Sequence, residues 1–164
     1  MSARATFLLL TTLAASCALD PSCARTRTAF ADDGTLLLVV RSLIGEAGED
    51  GHADHAAILG VFSYRHELPA WRNRPIRELV SQYSAAVRPG LPMNVNRARV
   101  LGITEERAPR RLVELVRQWL SGEHIGTPCP NSEHFGSPAD AARTRLVRVA
   151  CTARTRNVFL RAAR

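Results

Sequence analysis

The stretch from Thr35 to His66, TLLLVVRSLIGEAGEDGHADHAAILGVFSYRH, constrains the fold more than any other. Leu36, Val39, Val40, Leu43 and Ile44 recur at i, i+3, i+4, i+7 and i+8, the spacing of the apolar face of an α-helix. Leu37 and Leu38 place apolar area on the other faces, so this helix is expected to be buried nearly all round. It is expected to stop at Gly45-Glu46-Ala47-Gly48. Glu46 lies three positions after Leu43 and seven after Val39, so the apolar stripe carries a carboxyl group into a poorly solvated corner. After Glu49, Asp50 and Gly51 a second helix is expected, with His55, Ile58, Leu59, Phe62 and His66 on one face. The pattern describes two antiparallel helices with a carboxyl group where they meet. Desolvation keeps a carboxylic acid protonated, which suits a general acid at neutral pH. The plain alternative is a helix-end glutamate that solvates the corner.

The rest of the chain reads as further short helices and a small β element. Pro75 suits the first turn of a third helix, Ile76 to about Val87, with Ile76, Leu79, Val80 and Tyr83 on its apolar face. Arg88-Pro89-Gly90-Leu91-Pro92 breaks it. Residues 94–103 read as an irregular or short helical connector. Thr104 is expected to cap a fourth helix, with Glu105 and Glu106 near its positive end. Leu112, Leu115, Val116, Trp119 and Leu120 form its stripe, and Gly122 ends it. Trp119 is expected in the core. Pro128 to Pro138, PCPNSEHFGSP, reads as a loop. Arg145 to Cys151 and Val158 to Arg161 read as two short strands, a hairpin. The expectation is a mainly α (α+β) domain over residues 35–164 with a small C-terminal β-hairpin.

Charge and leader bear on where such a domain works. The formal net charge is +7 and every basic residue is Arg. Polyanions attract such a chain, but the Arg residues are scattered and no nucleic-acid motif accompanies them, so no nucleic-acid partner is expected. Residues 1–16 read as an export signal, with Arg4 as the positive end and Phe7 to Ala15 as a short apolar core. Ala14-Ala15-Ser16-Cys17 resembles a lipobox, in which Cys17 is acylated after cleavage; ordinary signal peptidase cleavage is the competing outcome. Residues 17–34 read as a flexible tether. The expected location is outside the cytoplasm, in the periplasm or cell envelope. Of the four cysteines, Cys129 and Cys151 lie in the C-terminal part and are expected to pair in an oxidising compartment.

The string Ile44-Gly45-Glu46-Ala47-Gly48, a short loop, then His55-Ala56-Ala57-Ile58-Leu59-Gly60-Val61-Phe62-Ser63-Tyr64-Arg65 resembles the cell wall hydrolase family of spore-cortex-lytic enzymes. In that family a helix ends in a Gly-Glu-Ala signature whose glutamate is the catalytic acid. The next helix carries Ala-Ala-x-x-x-Val-x-x-Arg, which here falls on Ala56, Ala57, Val61 and Arg65. Tyr83-Ser84-Ala85 and His134-Phe135-Gly136 resemble later segments of these proteins. The resemblance implies a lysozyme-like domain that acts on peptidoglycan glycan strands as a monomer, with no cofactor. It implies Glu46 as general acid and His55, Tyr83, His134 and Phe135 as substrate-binding residues.

Two mechanisms stay open under that resemblance. A hydrolase needs a second carboxylate, for which Glu49 and Asp50 are the candidates. A lytic transglycosylase uses Glu46 twice and leaves a 1,6-anhydro product. An envelope lipoprotein of the same fold that binds glycan without cutting is the alternative from another class. His52, Asp54 and His55 with Glu46 do not follow a metal-ligand spacing, so no metal site is expected.

Overall fold

The computed structural model describes residues 34–163. The expected signal peptide, Cys17 and the tether up to Asp33 lie outside the described residues. The described chain is mainly helical with a small antiparallel sheet. Helix α1 spans Thr35–Ala47, α2 His52–Glu67, α3 Ile76–Tyr83, α4 Val95–Leu101 and α5 Arg110–Leu120. Strand β1 is His134–Gly136, followed by a short helix α6, Pro138–Ala141, then β2, Val147–Arg148, and β3, Val158–Arg161.

Helix α1 is the hub. It packs against α2, α3, α4 and α5, and no residue from Thr35 to Gly48 is fully exposed. Val39, Val40, Leu43 and Ile44 share one core with Ile58, Leu59, Phe62, Ile76, Leu79, Val116 and Trp119. Apolar burial at this density is the main favourable term in such a domain. Trp119 sits in this core as expected, and its indole N–H donates to Ser63 Oγ at 2.8 Å.

Several element boundaries differ from the expected ones, each for a local reason. α1 runs two residues past Gly45, so Glu46 stands on its last turn. Gly48 then turns the chain at φ 75°, ψ 178°, a conformation open in practice only to glycine. α3 ends at Tyr83 because Ser84 is extended. Residues 95–101 form a true helix, nucleated by Asn94, whose side chain accepts from the Arg97 N–H at 2.9 Å. Thr104 precedes only a single 3₁₀ turn, Glu105–Arg107. Pro109 forces Ala108 into extended backbone (ψ 146°), so α5, the helix expected to start after Thr104, begins only at Arg110.

The sheet has the order β1-β3-β2, with β3 central and antiparallel to both neighbours. The β2–β3 pair is the expected hairpin. His134-Phe135-Gly136, expected in a loop, is instead an edge strand, in register with Leu160, Phe159 and Val158. The Cys129–Cys151 disulfide is formed. It ties the segment before β1 to the segment between β2 and β3.

Candidate functional site

Glu46 is half-buried at the end of α1, and a close backbone approach positions its carboxylate. The segment after α3 runs so near α1 that a Cβ on Gly45 would lie 2.2 Å from Ala86 Cβ. Only glycine allows that contact without displacement. Glycine costs about 1 kcal/mol in a helix relative to alanine, so its place in the last turn is explained by the approach. Across the gap, Ser84 Oγ donates to Glu46 Oε1 at 2.7 Å and the Ala86 N–H donates to the same oxygen at 3.4 Å. Ser84 is fully buried. Oε2 has no partner among the described residues.

The segment that holds Glu46 is itself held by a buried arginine. Arg97 of α4 donates to the carbonyls of Ala85 and Arg88. Asn157, just before β3, donates from Nδ2 to the Glu46 carbonyl at 3.1 Å. Asp54, in the first turn of α2, is 2 % exposed and accepts from the backbone N–H groups of Arg156 and Asn157 at 2.9 and 2.8 Å. This satisfied buried carboxylate fixes the turn before β3 onto the start of α2.

Arg65, on the last turn of α2, links the remaining parts. It is 7 % exposed. Its Nε donates to the Glu133 carbonyl at 2.7 Å, Nη1 to the Tyr83 hydroxyl at 2.6 Å, and Nη2 reaches His134 Nδ1 at 2.6 Å. The guanidinium carbon also lies 4.0 Å from the centre of the Tyr83 ring. Trp71 packs edge-on against Tyr83 at 5.9 Å. Burial, then the neighbouring Arg65 charge, holds the His134 imidazole below its ordinary pKa. A neutral His134 is what a donor-only guanidinium requires of its partner.

Two adjacent residues therefore join two sets of groups: Ser84 holds Glu46, and Tyr83 meets Arg65, which in turn contacts His134. The structure brings together three of the residues singled out in the sequence, Glu46, Tyr83 and His134, through Ser84 and Arg65. His55 is not among them. It is 1 % exposed, burial lowers its pKa, and its Nε2 donates to the Gly48 carbonyl at 2.7 Å. Its place is under the turn that follows Glu46, as a brace. Phe135 packs edge-on to Phe62 at 6.0 Å and lies near Phe159 at 6.4 Å, so its ring is spent on the core. Asn157 was missed in the sequence; Ser84 was named there only within the Tyr83-Ser84-Ala85 segment and Asp54 only as a rejected metal ligand, because neither carries a local signal of its long-range partner.

Glu49 is exposed and faces Arg99 at 3.5 Å; Asp50 is also exposed. Among the described residues no group of three or more His, Cys, Asp or Glu side chains is gathered to hold a metal ion. A separate groove of about 520 Å³ runs between α2 and α5, lined by His52, His55, Leu112, Leu115, His124 and others. Chemically, the corner at Glu46 offers one carboxyl oxygen anchored by two donors and a second without a partner among the described residues. No family model, no curated protein and no solved structure matches the chain.

Proposed function

We propose that the protein cleaves the β-1,4 bond between N-acetylmuramic acid and N-acetylglucosamine in peptidoglycan, with Glu46 as the general acid. The observation that carries this reading is the hold on Glu46. Ser84 and the Ala86 N–H fix Oε1 and leave Oε2 to protonate the leaving oxygen. Geometry of that kind is the first requirement of a general acid. The alignment of Tyr83, Arg65 and His134 beside it supplies polar groups for a sugar chain. The sequence resemblance to spore-cortex-lytic hydrolases supports the substrate class.

Of the carboxylates near Glu46 in sequence, Glu49 faces an arginine at the surface, Asp50 is exposed, and Asp54 is committed to two backbone amides. Hydrolytic glycosidases work with a pair of carboxyl groups. The single anchored carboxyl favours a lytic transglycosylase, in which Glu46 first protonates the leaving oxygen and then takes the proton of the muramic O6 hydroxyl. We also place the protein in the cell envelope, in keeping with the formed disulfide and with the leader read from the sequence.

The test is Glu46→Gln on purified sacculi. Glutamine can keep the Ser84 contact but has no proton to give. Clearing should fall by at least ~10²–10⁴-fold, the usual share of general acid catalysis. The thermal transition and sacculus binding should remain. Mass spectrometry of the wild-type products should find 1,6-anhydro ends. Retained clearing by Glu46→Gln would place the acid elsewhere, and reducing ends would call for a second carboxylate.

A further inference from the structure

One peptide unit links Glu46 to a buried arginine. The N–H of Ala86 donates to Glu46 Oε1 at 3.4 Å, and the carbonyl of Ala85, on the same peptide plane, accepts from Arg97 Nη1 at 3.2 Å. A trans peptide is planar, so its C=O and N–H point to opposite sides. An arginine bonded on one side therefore fixes where the other side points, and its charge polarises the N–H as a donor. The second arm of the guanidinium, Nη2, donates to the Arg88 carbonyl. Arg97 thus grips the strap of residues 84–88 at two points that straddle Ala86. It is 7 % exposed, and its Nε is buried without a partner among the described residues. The two carbonyls, and not the needs of the guanidinium itself, set its pose. The far end of this link is also tied down. Arg41 of α1 donates through Nε and Nη2 to the carbonyl of Ile103, just after α4, at 2.9 and 2.7 Å. The bonds form a closed circuit: α1 holds the end of α4, α4 holds the strap, and the strap holds the Glu46 carboxyl group.

We propose that Arg97 is a positioning residue for Glu46, acting through the peptide between Ala85 and Ala86 to fix which carboxyl oxygen is anchored. This rests on the reading of Glu46 as the general acid and adds the group that aims it. Arg97 bonds to the strap and not to the carboxyl group. With the peptide held, Oε1 accepts from both Ser84 Oγ and the Ala86 N–H, and a proton on the carboxyl group settles on Oε2. Without Arg97 the peptide plane can turn, its N–H leaves Oε1, and the carboxyl group loses one of its two anchors. Bulk packing plays a different part. Val87, 4 % exposed, keeps the strap against the core, and Ala86 packs on Gly45. Loss of Arg97 should therefore spoil the aim of the acid without releasing the strap. A fault in aim acts on the chemical step, so it should appear in kcat while KM stays in place.

Two measurements test the proposal, and one of them needs no activity. The first follows the Ala86 amide by proton–nitrogen NMR. Glu46→Gln removes the charge on the acceptor and should shift that amide in otherwise wild-type protein. In the Arg97→Gln background the same change should shift it by less than about half as much, the mark of two coupled positions. The second is steady-state cutting of soluble, uncrosslinked peptidoglycan strands. Arg97→Gln should lower kcat about tenfold, the share of one charge-assisted hydrogen bond, with KM unchanged. Arg97→Lys keeps the charge but replaces the fork with a point donor, so its kcat should fall between those of Arg97→Gln and the wild type. Ser63→Ala removes the bond to the Trp119 indole elsewhere in the core and serves as the stability control; it should lower melting and leave kcat as it is. Where Arg97→Gln does not fold, Arg97→Lys carries both measurements under the same criteria. An Ala86 response that ignores position 97, a kcat loss matched by Ser63→Ala, or a loss carried by KM overturns the proposal. A wild-type protein that cuts no glycan while the Ala86 coupling persists would instead remove the function and leave the link between Arg97 and Glu46 in place.

Discussion

The helical corner around Glu46 and the C-terminal sheet around His134 are held by different means. The corner is held by diffuse apolar packing: α1 touches four other helices, and Val39, Leu43, Ile58, Leu59 and Leu79 are all fully buried. The sheet is short, with strands of three, two and four residues, and a sheet so small is not stable alone. Besides the apolar contact of Phe135 and Phe159 with the helical core, it relies on a few discrete ties: the Cys129–Cys151 disulfide, the Asp54 carboxylate and the Arg65 guanidinium. The difference teaches where each kind of group in the site gets its precision. Glu46 sits on the buried hub helix, whereas His134 is positioned by bonds that can be removed one at a time.

That contrast can be broken from both sides. The largest effect is expected from Leu43→Ala, which empties a fully buried site on the hub. It should cost about 2–5 kcal/mol and lower the whole denaturation curve, since Leu43 is fully buried in the single core. A denaturant titration followed by both tryptophans checks it; loss confined to the sheet signals would contradict the hub. Reduction of the disulfide should cost about 3 kcal/mol for a separation of 22 residues. Hydrogen exchange should quicken first at β1 and β3 and later in α1 and α2. Equal quickening in both would mean that the two regions open as one unit.

The smallest expected effect is a pH dependence that both regions share. His55 in the corner and His134 at the sheet have pKa values held below the ordinary 6.5, in both cases by burial first. The unfolded chain therefore binds more protons near that pH, and stability present above about pH 6.5 should fall as acid is added below it. Gln at position 55 should flatten the curve through the corner alone, and Gln at position 134 through the sheet alone. Stability that rises between pH 7 and 5 in the wild type would reverse the sign and refute the burial argument.

How much was legible in the sequence follows the same division. Periodicity found the hub, the second helix and the stripe of α5, because packing there repeats at helical spacing. It also placed Glu46, since a carboxyl group on an apolar stripe is a local anomaly. The helix at 95–101 was left open as an irregular or short helical connector and the start at 110 was misplaced, although Asn94 as a cap and Pro109 as a breaker are local signals in plain view. The edge strand at His134 was not legible. Its pairing with Val158–Leu160 spans more than twenty residues and leaves only three positions of pattern. Ser84 and Asn157 were beyond reach for the same reason: a side chain with a single distant partner leaves no trace in its neighbours.

The bonds from residues 156 and 157 back to Asp54 and Glu46 set an order in time. They span 102 and 111 positions. As the chain is made or threaded from its N-terminus, both helices of the corner emerge long before the amides that complete them. Until residue 157 follows, the Asp54 carboxylate has no donors, and a buried group in that state opposes closure of the helix pair. Contacts of such long separation also form late in folding. If Glu46 is the acid of a wall-cutting enzyme, the same bonds act as a safeguard: an unfinished or half-exported chain would carry the acid without the frame that aims it.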